Sequence, residues 1–498
     1  MKTRLIAMKI YLFMFLLLGG ILTGGCEKAL EEDAKTFIAP DNFFTNGEQC
    51  TQAVNGIYGS LHAIYGAPEF WRIVDLGTDL SYTEDANNLV PQEYTFGSGN
   101  TGTGGVWSTA YTAIKNANMV IARVSQAPID EQLRGRLVGE AKFLRALYYF
   151  ILTNFWGDVP LWTDELDVNA ISQLARTPLT EVRAQIIRDL SEAAEALPMS
   201  YGANDVGRAT KGAALALLAK VYLYNEDWTR AQQTALQVVQ SGQYSLLSNY
   251  ADVFDVRNRF KNNAESIFEV QFLRDAATST NIKTHQQASY YMPARDPGKS
   301  TYAGVDFGSY VIDGWSVCRP TLKLVEMFEP NDQRRDIVLG YGYNGQPFTK
   351  WPRLDHPWFG PKFWDLDANA QASGKNLYVL RYVDVLLMLA EAYNEEGNTP
   401  ESIKWLNEVR KRAQLNELAN QSQEDLREEI MKERGIEFVG EFQRRWDLVR
   451  WGKLVEAVKS VADDNPIGAA NIKPFHNYYP ISAEEIIKNP NLTQNTGY

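Results

Sequence analysis

Hydrophobic and polar positions follow a helical period across residues 208–242. Two helices, 209–224 and 228–240, are predicted on either side of a short polar break. Large, large, small and aromatic residues share one face of the first helix, and a small residue follows nine positions later, as in a tetratricopeptide hairpin. The two facing stripes are Leu215, Leu218, Ala219 and Tyr222, then Ala231, Ala235 and Val238. Their small members predict a close crossing of the two helices.

The same spacing occurs a second time near the end of the chain. The matching residues are Leu386, Leu389, Ala390 and Tyr393, then Ser402, Leu406 and Val409. The two copies lie too far apart for a tandem array. Any helical hairpin with a tight crossing explains one copy equally well, but two copies at one spacing favour helix-hairpin packing.

Helical periodicity covers most of the remaining chain, with two exceptions. Further helices are predicted at 46–64, 106–125, 132–156 and 180–197, and helical order resumes over 377–461. Residues 66–105 and 245–376 lack this periodicity and are rich in aromatic residues. Long stretches without a long helix, inside a helical protein, suggest a face that carries function.

The first 25 residues have the features of a targeting segment. Lys2, Arg4 and Lys9 form a basic start, and a short apolar run at 10–18 cannot span a bilayer. Small residues then directly precede Cys26, which resembles a bacterial lipoprotein cleavage box with Cys26 as the lipidated residue. Ordinary secretion, with Cys26 as a bystander thiol, is the alternative. Several acyl chains on one residue would anchor the protein firmly.

Composition excludes two classes of protein. The formal net charge is −12, and no cluster of Lys and Arg is present, so we expect no nucleic-acid binding. Three Cys residues and four isolated His residues offer no metal-ligand spacing, so we expect no structural zinc site and name no metal ligand. Twelve Trp and 25 Tyr are a generous supply of aromatic residues, and many lie in the aperiodic stretches.

Residues 97–102 match the glycine pattern of a dinucleotide-binding loop. The acidic residue expected about 20 positions later is missing, and Ala122 and Arg123 stand there instead. No alternation of strands and helices follows. We therefore interpret residues 97–102 as a loop and expect no cofactor.

Five stretches, taken in order, resemble the SusD/RagB family of Bacteroidetes lipoproteins. One departure from the family pattern is Phe442, where a glycine is usual. The stretches are GEAKFLRALYYF with FWGDVPL from Gly139, RATKGAALALLAKVYLY from Arg208, LRYVDVLLMLAEAYN from Leu380, ERGIEFVGEFQRRWDLVRWG from Glu433, and the terminal YYPISAEEIIKNPNLTQNTGY.

The resemblance implies one mainly α-helical domain over residues 26–498, with an N-terminal part at 26–244 and a C-terminal part at 245–498. Four tetratricopeptide-like hairpins would pack against a loop-rich half that carries the ligand site. It also implies no catalysis. The protein would be lipid-anchored at the surface of the outer membrane and would close as a lid over a SusC-like TonB-dependent transporter.

Glycan capture is the function that we expect first. Sugar rings have apolar faces and hydroxyl rims, and Tyr and Trp combine a flat apolar face with a polar edge. An anchoring role in the core or in a loop is the alternative for each ring. The candidate ligand-binding residues are Tyr94, Tyr302, Tyr310, Trp315 and Trp358.

Two other functions remain open. The same lid could capture a peptide, although peptide recognition uses strand edges more than open aromatic platforms. A surface glycoside hydrolase would need two carboxylates about 5–10 Å apart. The pair Asp365 and Asp367 is suggestive, but a chain with 61 acidic residues contains such pairs by chance.

Overall fold

The computed structural model describes residues 43–103, 105–255, 261–273, 284–310, 312–353 and 355–498. The predicted targeting segment and Cys26 lie outside these residues. The helices up to residue 255 are α1 (Gly47–Tyr65), α2 (Pro68–Val74), α3 (Leu89–Glu93), α4 (Val106–Val124), α5 (Glu131–Trp156), α6 (Val168–Ile171), α7 (Leu179–Ala196), α8 (Lys211–Tyr224), α9 (Trp228–Gln240) and α10 (Tyr250–Val253).

The second half of the chain contains shorter helices before the long ones return. They are α11 (Gln287–Tyr291), α12 (Leu322–Met327), α13 (Arg335–Val338), α14 (Tyr382–Glu395), α15 (Thr399–Arg412), α16 (Gln423–Phe438), α17 (Arg444–Arg450), α18 (Leu454–Lys459), α19 (Pro466–Asn471) and α20 (Ala483–Lys488). Among the described residues, single 3₁₀ turns lie at Ala86–Asn88, Ala203–Asp205 and Pro474–Asn477. The long helices agree with the predicted ones to within a few residues.

Short polar side chains fix where several long helices begin. Asp130, Thr210 and Ser422 each accept a hydrogen bond from the backbone N–H three residues later. Such caps satisfy N–H groups that have no partner inside the helix. At the other end of α5, Gly157 adopts a φ of 70°, which L side chains rarely adopt. A β-carbon at Gly157 would also lie 3.1 Å from the ring of Tyr478, so the end of this helix favours glycine for two reasons.

The two predicted hairpins form, and they stack directly on each other. Helices α8 and α9 make the first, α14 and α15 make the second, and α9 packs against α14. In the second hairpin the Ser402 hydroxyl donates a hydrogen bond of 2.7 Å to the carbonyl of Ala390, which confirms the close approach predicted from small residues. Helices α1, α4, α5 and α7 extend the stack on the other side of α8.

Helix α8 is buried on every side from Gly212 to Tyr224, because α7, α9 and α14 all pack against it. A helix that is apolar all round belongs in the interior of a large protein. The small residues Ala213, Ala216 and Ala219 allow its neighbours to approach closely.

Strands are short and form five separate antiparallel pairs among the described residues. The pair with the longest strands joins β2 (Ser266–Val270) to β10 (Leu377–Arg381), which leads directly into α14. The other pairs are β1 (Ser81–Tyr82) with β5 (Arg319–Pro320), β3 (Thr301–Tyr302) with β4 (Val305–Asp306), β6 (Leu339–Gly340) with β9 (Trp358–Phe359), and β7 (Gly342–Tyr343) with β8 (Gln346–Pro347).

Two hydrophobic clusters account for most of the core. The first fills the spaces between the helices, and the second lies beneath the loops of residues 284–376. The loop-rich half therefore has a core of its own, built from residues such as Tyr291, Phe307 and Phe359. Among the described helices, none has the length and apolar character needed to cross a membrane.

Candidate functional site

Three of the five candidate aromatic residues are buried. The Tyr94 hydroxyl donates to the Gly77 carbonyl, and the Tyr302 hydroxyl donates to the Ile312 carbonyl. The Trp358 indole N–H donates to the carbonyl of Lys350 at 2.8 Å, and only 5% of this residue is exposed. Their rings are covered by protein, and their polar edges already have partners. The structure therefore gives Tyr94, Tyr302 and Trp358 an anchoring role, which the sequence had left as the alternative.

The other two candidates reach the surface at different places. Trp315 is 40% exposed, which is unusual for a residue of its size. Tyr310 is half-buried beside Tyr343, with ring centroids 6.3 Å apart, and Tyr343 itself stacks on Phe307. Trp315 offers the more open ring face, so we build the candidate site around it.

The loop that carries Trp315 is held in place by backbone hydrogen bonds. The Trp315 N–H donates to the carbonyl of Ser289 at 2.7 Å, and the Cys318 N–H donates to the carbonyl of Tyr290 at 2.9 Å. The Asp313 N–H also donates to the carbonyl of Ala370 at 2.9 Å. These bonds fix the loop against α11 and a neighbouring turn, so the ring is positioned before any ligand arrives.

Tyr290 stands next to Trp315 and makes a second aromatic surface. Their ring centroids are 5.3 Å apart and their planes are inclined by 74°, an edge-to-face arrangement. The ring of Trp71, which is fully buried, packs against Tyr290 from below at 5.4 Å. Tyr290 is half-buried, so part of it remains open beside Trp315. Together Trp315 and Tyr290 form what we call the aromatic platform.

Three charged groups, Arg72, Glu69 and Asp85, lie near the hydroxyl edge of the platform. Arg72 donates to Asn88 Oδ1 at 2.9 Å and to Glu69 Oε1 at 3.0 Å. Burial raises the pKa of the Tyr290 hydroxyl, Arg72 lowers it, and Glu69 and Asp85 raise it further. All three charged groups therefore lie close enough to affect this hydroxyl electrostatically.

A platform of this kind suits a ligand with both apolar faces and hydroxyl groups. The ring of Trp315 can cover an apolar face, while Arg72, Glu69 and Asp85 can exchange hydrogen bonds with a hydroxyl rim. The positive charge of Arg72 is already offset by Glu69.

Sequence reasoning found Trp315 and missed the residues that surround it. Tyr290 and Tyr291 are neighbours in the short helix α11, and neighbouring helical residues point in different directions. Tyr291 is buried, so Tyr290 turns towards the surface. An adjacent Tyr pair was thus an available signal. Arg72 and Glu69 gave none, because an acidic and a basic residue three positions apart are common on helices.

Two sets of acidic groups outside the platform have structural partners. Asp365 is buried and accepts hydrogen bonds from the Ser373 hydroxyl at 2.6 Å and the Asp367 N–H at 3.0 Å. Glu329, Glu429 and Glu433 have carboxylate oxygens within 4.8 Å of one another. Arg410 forms ion pairs with all three, at 2.8, 2.6 and 3.3 Å, so its guanidinium supplies the positive charge between them.

Residues 97–102, which carry the dinucleotide-like glycine pattern, form a turn. Gly97 and Asn100 exchange backbone hydrogen bonds of 3.2 and 3.0 Å, and the Ser98 carbonyl accepts from the N–H of Ala483 at the start of α20. The turn therefore holds the C-terminal segment in place.

Comparison with known proteins gives consistent matches along the chain. A family profile described as "SusD family" matches residues 338–498, and a profile described as "Starch-binding associating with outer membrane" matches residues 51–223. SusD-like protein P25 of Formosa agariphila is 29% identical, over 95% of this chain and 96% of its own length.

Solved structures agree with these matches. A SusD superfamily protein from Bacteroides vulgatus superposes with a TM-score of 0.77 at 27% identity, covering 92% of this chain and 100% of that protein. A protein described as a laminarin-binding SusD-like protein gives a TM-score of 0.76 at 26% identity, covering 91% of this chain and 100% of its own.

Proposed function

Because the chain belongs to the SusD family, we propose that it is a glycan-binding protein that captures oligosaccharides on its aromatic platform. The observation that carries this proposal is the exposed ring of Trp315, 40% of which faces solvent on a loop fixed by hydrogen bonds. One similar structure is that of a protein described as binding laminarin, which supports a glycan as the ligand class.

We extend the proposal to the setting in which capture takes place. Lipidation at Cys26 would anchor the protein to the outer membrane, with the platform exposed at the cell surface. From there it would act as the lid of a SusC-like TonB-dependent transporter and deliver its oligosaccharide into the pore. Capture in this scheme needs no bond to be broken, so we assign no catalytic residue.

Binding measurements with a single ring removed test the proposal. The Trp315→Ala variant should bind oligosaccharide several-fold more weakly at an unchanged melting temperature. A stacked ring contributes on the order of 1 kcal/mol by analogy with aromatic pairs, or about five-fold in affinity. The ligands to be tested are laminarihexaose, maltohexaose and a mixture of casein peptides. Calorimetry measures the affinity of the protein for each.

The matched control is Trp405→Ala, which removes a half-buried Trp on α15 in the hairpin half. This variant should keep the affinity of the parent. Binding of the peptides but of neither hexaose would favour a peptide-binding lid. Release of shorter sugars from either hexaose by the pure protein would indicate a hydrolase instead. If Trp315→Ala bound oligosaccharide as tightly as the parent, the aromatic platform would not be the binding site.

A further inference from the structure

A second polar groove lies where α1, the turn at residues 201–208 and strand β2 meet. It consists of two adjoining cavities of about 260 and 240 Å³, which share Val206, Gly207, Arg208 and Glu269 in their walls. Together they are of the size at which proteins bind small molecules. We call this feature the side groove.

The charged groups of the side groove are paired with other parts of the protein. Arg208 donates to Asp205 at 2.5 Å and to Glu140 at 3.1 Å. Glu269 is buried and accepts a hydrogen bond of 2.7 Å from the Asn376 amide. Because these charged groups already have partners, and the carboxylates of Glu140 and Glu269 are buried, a charged ligand would have to compete with those partners. The side groove therefore favours an uncharged ligand.

Neutral hydrogen-bonding groups at the groove are left open. The side-chain amides of Asn55, Asn204 and Gln243 are exposed and make no hydrogen bond to any described residue. Half-buried Tyr201 and Tyr244 add ring edges to the wall. Amides both donate and accept, so they match hydroxyl groups, which also do both.

We propose that the side groove is a second binding site, distinct from the aromatic platform, and that it takes an uncharged, hydroxyl-rich oligosaccharide. The choice of a sugar rests on the proposed function, whereas the neutral and hydroxyl-matching character rests on the groove itself. Two sites on one chain would raise the effective affinity for a long polysaccharide, because binding at one site increases the local concentration at the other.

The side groove and the platform are separated by a series of buried rings. His62 at the groove contacts Phe272, with centroids 5.1 Å apart, and Phe272 contacts His285 at 4.6 Å. His285 lies 6.0 Å from Trp71, the ring beneath Tyr290. Phe272, His285 and Trp71 are all buried. The side groove and the platform are therefore separate surfaces, and a short sugar should bind to one independently of the other.

Calorimetry with laminarihexaose and maltohexaose tests the inference through the binding stoichiometry. The parent protein should bind two molecules of one of these hexaoses per chain. Val206→Arg places a long side chain in the shared wall, at a residue that is 51% exposed. This variant should weaken one site more than about ten-fold, which is about 1.4 kcal/mol, and leave the other unchanged. Trp315→Ala should weaken only the site that Val206→Arg leaves unchanged.

Two further variants test whether the effect of Val206→Arg comes from unfolding or from added charge alone. The double variant Asn55→Ala/Gln243→Ala removes two open amides without adding bulk and should weaken the same site as Val206→Arg. Val168→Arg changes a valine on α6 that is 67% exposed and is not part of the groove. It should bind like the parent.

The outcomes separate the inference from the proposed function. One site per chain, weakened by Trp315→Ala but not by Val206→Arg, would overturn the inference that the side groove binds sugar. The same result would still support binding at the aromatic platform. Two sites whose affinities are unchanged in both Val206→Arg and the double amide variant would also overturn the inference. No binding of either hexaose to the parent would count against the inference and the proposed function together.

Discussion

At the scale of single residues, exposure separates rings that look alike in sequence. Tyr302 and Trp315 both lie in the aperiodic stretch, yet Tyr302 is fully buried and Trp315 is 40% exposed. Burial of Tyr302 depends on Phe307, whose ring lies 4.7 Å away, and on the chain folding back so that its hydroxyl meets the Ile312 carbonyl. Such contacts follow no period along the chain, so a sequence pattern cannot reveal them.

This contrast predicts that two Trp substitutions change the free energy of unfolding by very different amounts. Trp358→Ala should lower the free energy of unfolding by about 3–5 kcal/mol, because it empties a buried site in the core beneath the loops. Trp315→Ala should change it by less than about 1 kcal/mol, as expected for an exposed side chain. Urea unfolding, followed by circular dichroism, measures both. If Trp358→Ala were as stable as the parent, the packing of strand β9 described above would be wrong.

At the scale of elements, the sequence predicted the helical half well and the loop half poorly. The hairpin pattern of α8 with α9 is local, so a single stretch of sequence contains it. The same holds for α14 with α15, although the direct stacking of α9 on α14 joins residues that are distant in the chain. Outside the long helices most strands contain only two residues, and one pair, β1 with β5, joins residues that are far apart in the sequence. No periodicity of two can be seen in so short a strand.

The close packing around α8 predicts a cost for any larger side chain there. Ala219→Leu adds three heavy atoms at a position with no exposed surface. Overpacking of this kind typically costs about 1–3 kcal/mol, and ligand affinity should stay the same. Ala470→Leu, at an exposed position of α19, is the matched control and should leave the melting temperature near that of the parent. Equal melting temperatures for the two variants would show that no neighbour contacts residue 219 closely.

At the scale of the whole molecule, buried ion pairs join elements that are far apart in the sequence. The charges of Glu437, Arg444, Asp447 and Arg450 alternate in sign, a pattern typical of a solvated or ion-paired face. The structure shows the ion-paired form, and all four residues are largely buried. Arg444 forms an ion pair with Asp79 at 2.7 Å, which joins α17 to the segment between α2 and β1. Partners so distant cannot be identified from charge alternation alone.

Membrane attachment is also a property of the whole molecule. The sequence predicts a lipid on Cys26, and the described helices include none that could span a bilayer. Cys26→Ala should therefore move the protein from the membrane fraction into the soluble fraction. Fractionation of cells and labelling with a lipid precursor measure this. If the variant still sediments with outer membranes and takes up the label, another residue or segment provides the anchor.

The buried charges give the fold a defined response to acid. Asp384 accepts hydrogen bonds from Lys220 at 2.8 Å and from Arg434 at 2.9 Å, which links α8, α14 and α16. Burial raises the pKa of Asp384, but the charges of Lys220 and Arg434 outweigh it and lower the pKa to about 2. Because this folded value lies below the unfolded value of 3.8, the carboxylate stabilises the fold above about pH 4. That contribution is lost as the pH falls towards 2.

Replacing this carboxylate should therefore matter more at neutral pH than in acid. Asp384→Asn leaves the buried ammonium of Lys220 without its carboxylate partner, whereas Arg434 keeps Asp447. The substitution should cost about 3–5 kcal/mol at pH 7. At pH 2 the cost should be smaller, because about half of the parent carboxylates are then protonated. Urea unfolding at both pH values measures the difference, with Asp463→Asn at an exposed position as the control. An equal cost at pH 7 and pH 2 would show that the charge of Asp384 does not contribute to holding these helices together.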